Sequence, residues 1–320
     1  MRSLSGNSLQ NQKLAARAEN HPAARSQNKR GSRLEVEHVS LTYQEGTPFA
    51  VPALEDVSLS VHAGERLAIA GPVGSGKSTL LAVLAGVEPP TAGRVIHEGG
   101  EVTSRRQPPA GSIGLTFQSP ENCLFEKSVL DDVAFAPRRQ GLDEREVKNR
   151  VIDALSITGM NLEQFGHRSP FSLSTGEQRR VALAGVLAME PAALLLDEPT
   201  AHLDPLTRRE LIERLVRLNE ATGVTMVMVG HDMDELARFA QRVVIIDGGR
   251  LAADGAAADL LTDTVLLAGH SLDPPGTVEL CELLEKATSA PVTAVIEEVK
   301  ALELLLGLIE KRTGGSQLCR

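Results

Sequence analysis

Aromatic side chains are scarce in this sequence: of 320 residues none is Trp, one is Tyr and seven are Phe. The core must therefore be built from Leu, Val, Ile and Ala, and a nucleic-acid surface of stacked aromatic rings is not expected. Cysteine is sparse too. Cys123, Cys281 and Cys319 lie far apart and form no CxxC pair, which excludes a disulfide framework and reads as free thiols of a reducing compartment. Positive charge is in deficit: 33 Lys and Arg stand against 42 Asp and Glu, a net charge of -9, so no nucleic acid is expected as the main partner. No apolar run is long enough to span a bilayer. The stretch 302–309 is interrupted by Glu303 and Gly307, and the N-terminus shows no apolar core of a secretion signal. If the protein acts at a membrane, another chain must supply the span.

What is present is an ordinary globular composition, 42% hydrophobic and 23% charged. The length fits one large α/β domain and a smaller appended piece. Residues 1–32 are rich in Asn, Gln, Ser, Ala and Arg, with Glu19 as the only acid, and are expected to be a disordered tail. From residue 34 to 41 the chain alternates in the manner of a strand. Further strands are expected at 57–61, 66–70, 193–197, 224–230 and 243–247, most of them short apolar runs of the buried kind. Helices are expected at 78–86, 144–155, 176–189 and 206–221. Strands alternating with helices imply an α/β fold with a mainly parallel core sheet covered on both faces. The stretch from about 120 to 190 is mostly helical and is expected to form a separate lobe. Residues 251–320 form an extension with two helical segments, 277–287 and 293–311.

Two motifs carry chemistry. Gly71, Gly74, Ser75, Gly76, Lys77 and Ser78 lie in G-x-x-x-x-G-K-[ST], between an expected strand and an expected helix that continues through Thr79. Glycines let the backbone wrap phosphates with its N–H groups, and the helix start adds its positive dipole end. Lys77 is suited to the β- and γ-phosphates of ATP and Ser78 to Mg²⁺. The second motif is Leu194-Leu195-Leu196-Asp197-Glu198, a buried strand ending in two acids. Asp197 is suited to hold Mg²⁺ and Glu198 to polarise an attacking water.

Phosphate loops occur in many nucleotide enzymes, so the class rests on Leu173-Ser174-Thr175-Gly176-Glu177-Gln178-Arg179-Arg180. This resembles the signature motif of ATP-binding-cassette proteins, LSGGQ. The resemblance implies a P-loop cassette fold over 33–250, with an antiparallel β subdomain beside the parallel core and a helical subdomain at about 120–190. It also implies a head-to-tail pair of ATPase subunits, in which Ser174, Thr175, Gly176 and Glu177 face the ATP held by the partner. Other elements fit the family in order: Tyr43 for stacking on adenine, Gln118 for sensing Mg²⁺ and water, Asp204 for communication across the dimer, and His231 for the γ-phosphate.

Within the family the sequence is similar to the ATPase subunits of energy-coupling-factor transporters, importers of vitamins and transition-metal ions. Phe117-Gln118-Ser119-Pro120-Glu121-Asn122-Cys123-Leu124-Phe125 resembles that branch's FQNPDDQLF segment, the helix from Arg179 to Met189 its RRVAIAGVLAM, and residues 267–275 with the helix after them its C-terminal extension. The implied partners are integral membrane subunits, a scaffold and a substrate-binding protein, with Glu121 available to meet an arginine of the scaffold. A second ATPase subunit, identical or related, would pair through the extension at 251–320. The implied location is the cytoplasmic face of the membrane, peripherally bound. Alternatives are the ATPase of a conventional importer or exporter, and a soluble cassette ATPase outside transport. Four positions depart from the pattern. Thr175 replaces a glycine and loses its access to positive φ; Glu177 replaces Gln and brings a negative charge; Cys123 and His202 stand where Gln and a small residue are usual.

Overall fold

The computed structural model describes residues 31–103, 107–119, 123–288 and 292–312. The expected tail up to residue 30, Glu121 and Cys319 lie outside the described residues. The chain opens with β1 (Leu34–Tyr43) and β2 (Val51–Val61), which pair antiparallel. β3 (Arg66–Ala70) starts a second sheet and runs through a glycine-rich loop into α1 (Lys77–Leu84). β4 (Ala92–His97) and β5 (Gly100–Val102) return to the first sheet, whose order is β2-β1-β4-β5. β6 (Ile113–Thr116) then joins the second.

Five helical pieces follow: α2 (Val129–Arg139), α3 (Glu144–Ile157), α4 (Leu162–Phe165), a 3₁₀ turn at Pro170–Ser172, and α5 (Thr175–Leu187). The chain continues through β7 (Ala193–Asp197), α6 (Pro205–Thr222), β8 (Thr225–Val229), α7 (Met233–Phe239), β9 (Arg242–Asp247) and β10 (Arg250–Ala256). It ends with α8 (Ala257–Leu260), α9 (Thr264–Gly269), α10 (Gly276–Thr288) and α11 (Glu298–Arg312). Among the described residues no helix is long and apolar enough to cross a membrane.

The six-stranded sheet has the order β10-β9-β3-β8-β7-β6. All neighbours are parallel except β10, which returns antiparallel to β9. Its central strands are buried on both faces, which is why they read as unbroken apolar runs. Leu67, Ile69, Ala193 and Leu195 pack with α1 and the antiparallel sheet, while Ala68, Ala70, Leu194 and Leu196 pack with the helices of the opposite face. The result is the cassette expected from the sequence, an α/β core with a separate antiparallel sheet.

β1 departs from simple alternation. Leu34 and Val36 are buried, then Val39 and Leu41 are buried, so the inward phase shifts by one residue between them. The pairing register with β2 slips at the same place, and His38 adopts a φ of 49° there. This bulge turns His38 outward, where its Nδ1 lies 2.9 Å from Asp56 Oδ1.

Candidate functional site

Three adjacent strands, β3, β8 and β7, end at the same edge of the sheet, and each feeds a different piece of the site. Ligands of parallel α/β sheets bind beyond the carboxyl ends of strands. β3 delivers the phosphate loop. Gly71, Gly74 and Gly76 take φ values of 148°, 79° and 102°, a run that curls the loop amides inward. Gly76 is held on two grounds: its φ lies in the region that favours glycine, and a Cβ there would sit 2.4 Å from the Ala53 carbonyl oxygen. It is also the N-cap of α1, and no side chain caps that helix, so its first amides face the loop's concavity. Lys77 Nζ lies in the same concavity and donates to the Gly71 and Pro72 carbonyls at 2.8 and 2.7 Å. Burial lowers its pKa, opposed by the charges of Glu198 and Asp197.

β7 delivers the acids. Asp197 is 8% exposed; its amide donates to Thr116 Oγ1 at 3.2 Å. Its carboxyl is pushed up by burial and by the Glu198 charge, and pulled back by a hydrogen bond with Ser78 and the charges of Lys77 and Arg179. Glu198 follows with a φ of 45°. A non-glycine residue in that region carries about 1–3 kcal/mol of strain. The turn is held by its amide donating to the Val229 carbonyl at 3.0 Å. It separates the two carboxyls: Asp197 stays beside Ser78, and Glu198 Oε1 reaches His231 Nδ1 at 3.1 Å. His231 lies just past the end of β8 with its side chain exposed. Tyr43, at the end of β1, donates its hydroxyl to Thr79 Oγ1 at 3.2 Å, and the residue is 38% exposed beside the start of α1.

The Ser174–Glu177 stretch is placed differently. Ser174 caps α5: its Oγ accepts from the Glu177 amide, while Glu177 Oε2 accepts from the Ser174 amide at 2.8 Å and from its hydroxyl at 2.9 Å. Glu177 therefore turns back onto its own helix start, where a negative charge is favourable, and its pKa is lowered, chiefly by the Ser174 amide. Thr175 is the first residue of α5 and is not among the positive-φ positions, so its Cβ causes no backbone strain here. Gly176 is needed for proximity: a Cβ would come 3.1 Å from both the His202 carbonyl oxygen and Leu203 Cδ2. Asp204 caps α6, accepting from the Thr207 amide and hydroxyl at 3.1 and 2.6 Å. Within this chain Lys77, Ser78, Asp197, Glu198 and His231 come together, whereas Ser174 and Asp204 are engaged with their own helices.

These elements match known proteins. A profile of the ABC transporter family matches residues 54–201. The Energy-coupling factor transporter ATP-binding protein EcfA2 of Symbiobacterium thermophilum is 43% identical over 285 residues, covering 88% of this chain and 98% of that one. The chain belongs to the energy-coupling factor transporter ATP-binding proteins, within the ABC transporter family. The protein of the same description from Streptococcus pneumoniae is 42% identical over 259 residues, 78% of this chain and 90% of that one. Among solved structures, cbiO1 from Clostridium perfringens, part of the ABC transporter complex cbiONQ, aligns with a TM-score of 0.64 at 33% identity, covering 78% and 98% of the two chains. A dimeric ATP-binding cassette in a post-hydrolysis state with ADP and Pi gives 0.63 at 29% identity, covering 70% and 98%. ATP is thus the nucleotide of this family member.

One residue of the site lies in the signature stretch, but the sequence alone assigns it no role. Arg179 of α5 is buried, and its guanidinium donates to the carbonyls of Glu198 at 3.2 Å, Ala201 at 3.3 Å and Gln118. Gln118 itself has an exposed side chain and is tied down through this backbone bond. Arg179 thus fastens the helix beginning at Ser174 to the loop that carries Glu198.

Proposed function

We propose that this chain is the ATP-hydrolysing subunit that energises a membrane importer of the energy-coupling-factor type, for a vitamin or a transition-metal ion, from the cytoplasmic face of the membrane. The observation that carries the reading is the Glu198–His231 contact at 3.1 Å, set at the tips of neighbouring strands beside the phosphate loop. Glu198 would take the proton of the attacking water, and His231 would hold Glu198 and the γ-phosphate in register. Lys77 and the loop amides would bind and orient the phosphates, with Tyr43 against adenine. Catalysis of this kind is mostly positioning and charge stabilisation.

The residues present fit Mg²⁺. Buried Asp197 and the Ser78 hydroxyl supply oxygen donors of the hard type. Among the described residues no three His, Cys, Asp or Glu side chains gather into a self-sufficient site, so a cation here would complete its shell with Gln118, water and phosphate oxygens. When bound it supplies charge neutralisation to the phosphates.

The second half of each site would come from a partner ATPase, whose Ser174–Glu177 stretch would close on the γ-phosphate, with Asp204 at the junction. Support for pairing through the extension comes from α11, which exposes Val299, Leu302 and Leu306 on one face, and from Leu283 on α10. Exposed Phe117, next to Gln118 in the chain, and the edge-to-face pair of exposed Phe125 and Phe135 offer the membrane subunits apolar contacts.

The test is twofold. Purification of the tagged chain from its native membranes, with mass spectrometry of what accompanies it, should recover an integral scaffold and a small substrate-binding membrane protein. A conventional permease pair in their place would change the branch, and no membrane protein would overturn the transport reading. In the assembled complex Glu198→Gln should lower kcat by about 10²–10⁴-fold with ATP affinity kept; turnover at the parent rate would refute Glu198 as the base.

A further inference from the structure

The loop after Glu198 and the helix after His231 are joined a second time, away from the reacting groups. Thr200, two residues past Glu198, donates its hydroxyl to Glu235 Oε2 at 2.5 Å. Glu235 lies on α7, four residues past His231. Both are interior, Thr200 5% and Glu235 9% exposed. Arg208 completes the cluster from the first turn of α6: its Nε donates to the Leu203 carbonyl at 2.8 Å, and its Nη1 lies 3.7 Å from Glu235 Oε1 and 3.9 Å from Asp232 Oδ2. Asp232 caps α7, its Oδ1 accepting from the amides of Asp234 and Glu235 at 3.0 and 3.2 Å.

A carboxyl is a costly group to bury, and here one oxygen has only a distant guanidinium for company. Burial pushes the Glu235 pKa up, while the Thr200 bond and the Arg208 charge oppose it. An apolar residue would fill the space with less penalty. What the carboxyl adds is a fixed length between two segments whose outer ends are Glu198 and His231. The outer contact is between a half-buried acid and an exposed imidazole, and exposed pairs of this kind hold geometry weakly. The inner contact is buried and short.

We propose that Glu235 is a positioning residue for ATP hydrolysis: through Thr200, and with Arg208 of α6 beside it, it sets the spacing between Glu198 and His231. The proposal rests on the ATPase reading above, and the experiment separates the two. In the full-length chain assembled with its membrane subunits, Glu235→Ala should lower kcat about thirtyfold while ATP affinity stays within about threefold. Glu235→Gln, which keeps an acceptor for Thr200, should recover to within about threefold of the parent. Thr200→Val should cost nearly as much as Glu235→Ala, and the double variant little more than either.

A second readout needs no turnover. Amide hydrogen exchange of residues 199–204 should speed up in Glu235→Ala while that of 71–78 is unchanged. A parent without ATPase activity would sink the ATPase reading, and the exchange experiment would still judge the brace. Glu235→Ala with parent kcat, equal losses in Ala and Gln variants, additive losses in the double variant, or exchange changed equally in both segments would each overturn it. Should Glu235→Ala not fold, Thr200→Val and Glu235→Gln probe the same contact from its two ends: a loss in the first with near-parent kcat in the second supports the brace, and equal kcat in both refutes it.

Discussion

Two helix starts in this chain carry motifs expected to meet phosphate, and they are built in opposite ways. At α1 the N-cap is Gly76 in a left-handed conformation, with no side chain satisfying the first amides. At α5 the N-cap is Ser174, and a complete capping box with Glu177 satisfies them. An uncapped start costs stability but leaves donors and the dipole free for an anion. A capped one is stable by itself and has to exchange bonds to receive a ligand. The first start is therefore left open within the chain, and the second is satisfied by its own side chains.

The sharpest way to break this contrast is to close the open start. Gly76→Ala places a Cβ against the Ala53 carbonyl and forces an unfavourable φ; ATP affinity should fall by at least about 100-fold, measured by titration with a fluorescent ATP analogue, a loss that about 3 kcal/mol of strain would produce. Affinity equal to the parent would show that the loop does not need its left-handed turn. A smaller effect is expected from Gly176→Ala, whose Cβ meets the His202 carbonyl and Leu203 at 3.1 Å. It should lower kcat of the complex about tenfold through displacement of the loop after Glu198, with ATP affinity of the isolated chain unchanged.

Least costly is unlocking the capped start. Ser174→Ala should lower unfolding stability by about 0.5–2 kcal/mol in a denaturant titration. Glu177→Gln keeps the cap's shape and should lose only the charge contribution, a few tenths of a kcal/mol. Because the Glu177 pKa is lowered in the folded chain, its contribution is present above the ordinary carboxylate range and disappears as pH falls through the depressed value. The gap between parent and Glu177→Gln should therefore be widest near neutral pH and close in acid. A gap that widened in acid would contradict the cap.

How much of this was legible in the sequence depends on where each residue's partners lie. β3, β7, β8 and β9 could be read because a strand buried on both faces is a short apolar run between turns. The phosphate loop could be read because glycine, lysine and serine have to follow one another there. β6 and β10 escaped. Ile113–Thr116 is only four residues long, and the Arg250–Ala256 edge strand carries Arg, Asp and three Ala in place of an apolar run. The bulge at His38 escaped because its cause is a slipped register with β2, which sequence alternation does not encode.

Thr175 and Glu177 looked like weaknesses when set against the family pattern. Inside the chain one is an ordinary first helical residue and the other a cap partner. Arg179 was invisible as a working residue because its acceptors are backbone carbonyls 19, 22 and 61 positions away. Any residue type presents a carbonyl, so no pattern in the sequence marks them.

Arg179 has a mechanical consequence. Its guanidinium is a pin passed through three links: the stretch after β6, the turn at Glu198 and the loop at Ala201. A helix that swings relative to the sheet must carry all three with it or draw the pin. The backbone at Gln118 and the turn at Glu198 are therefore tied to one another through a single side chain.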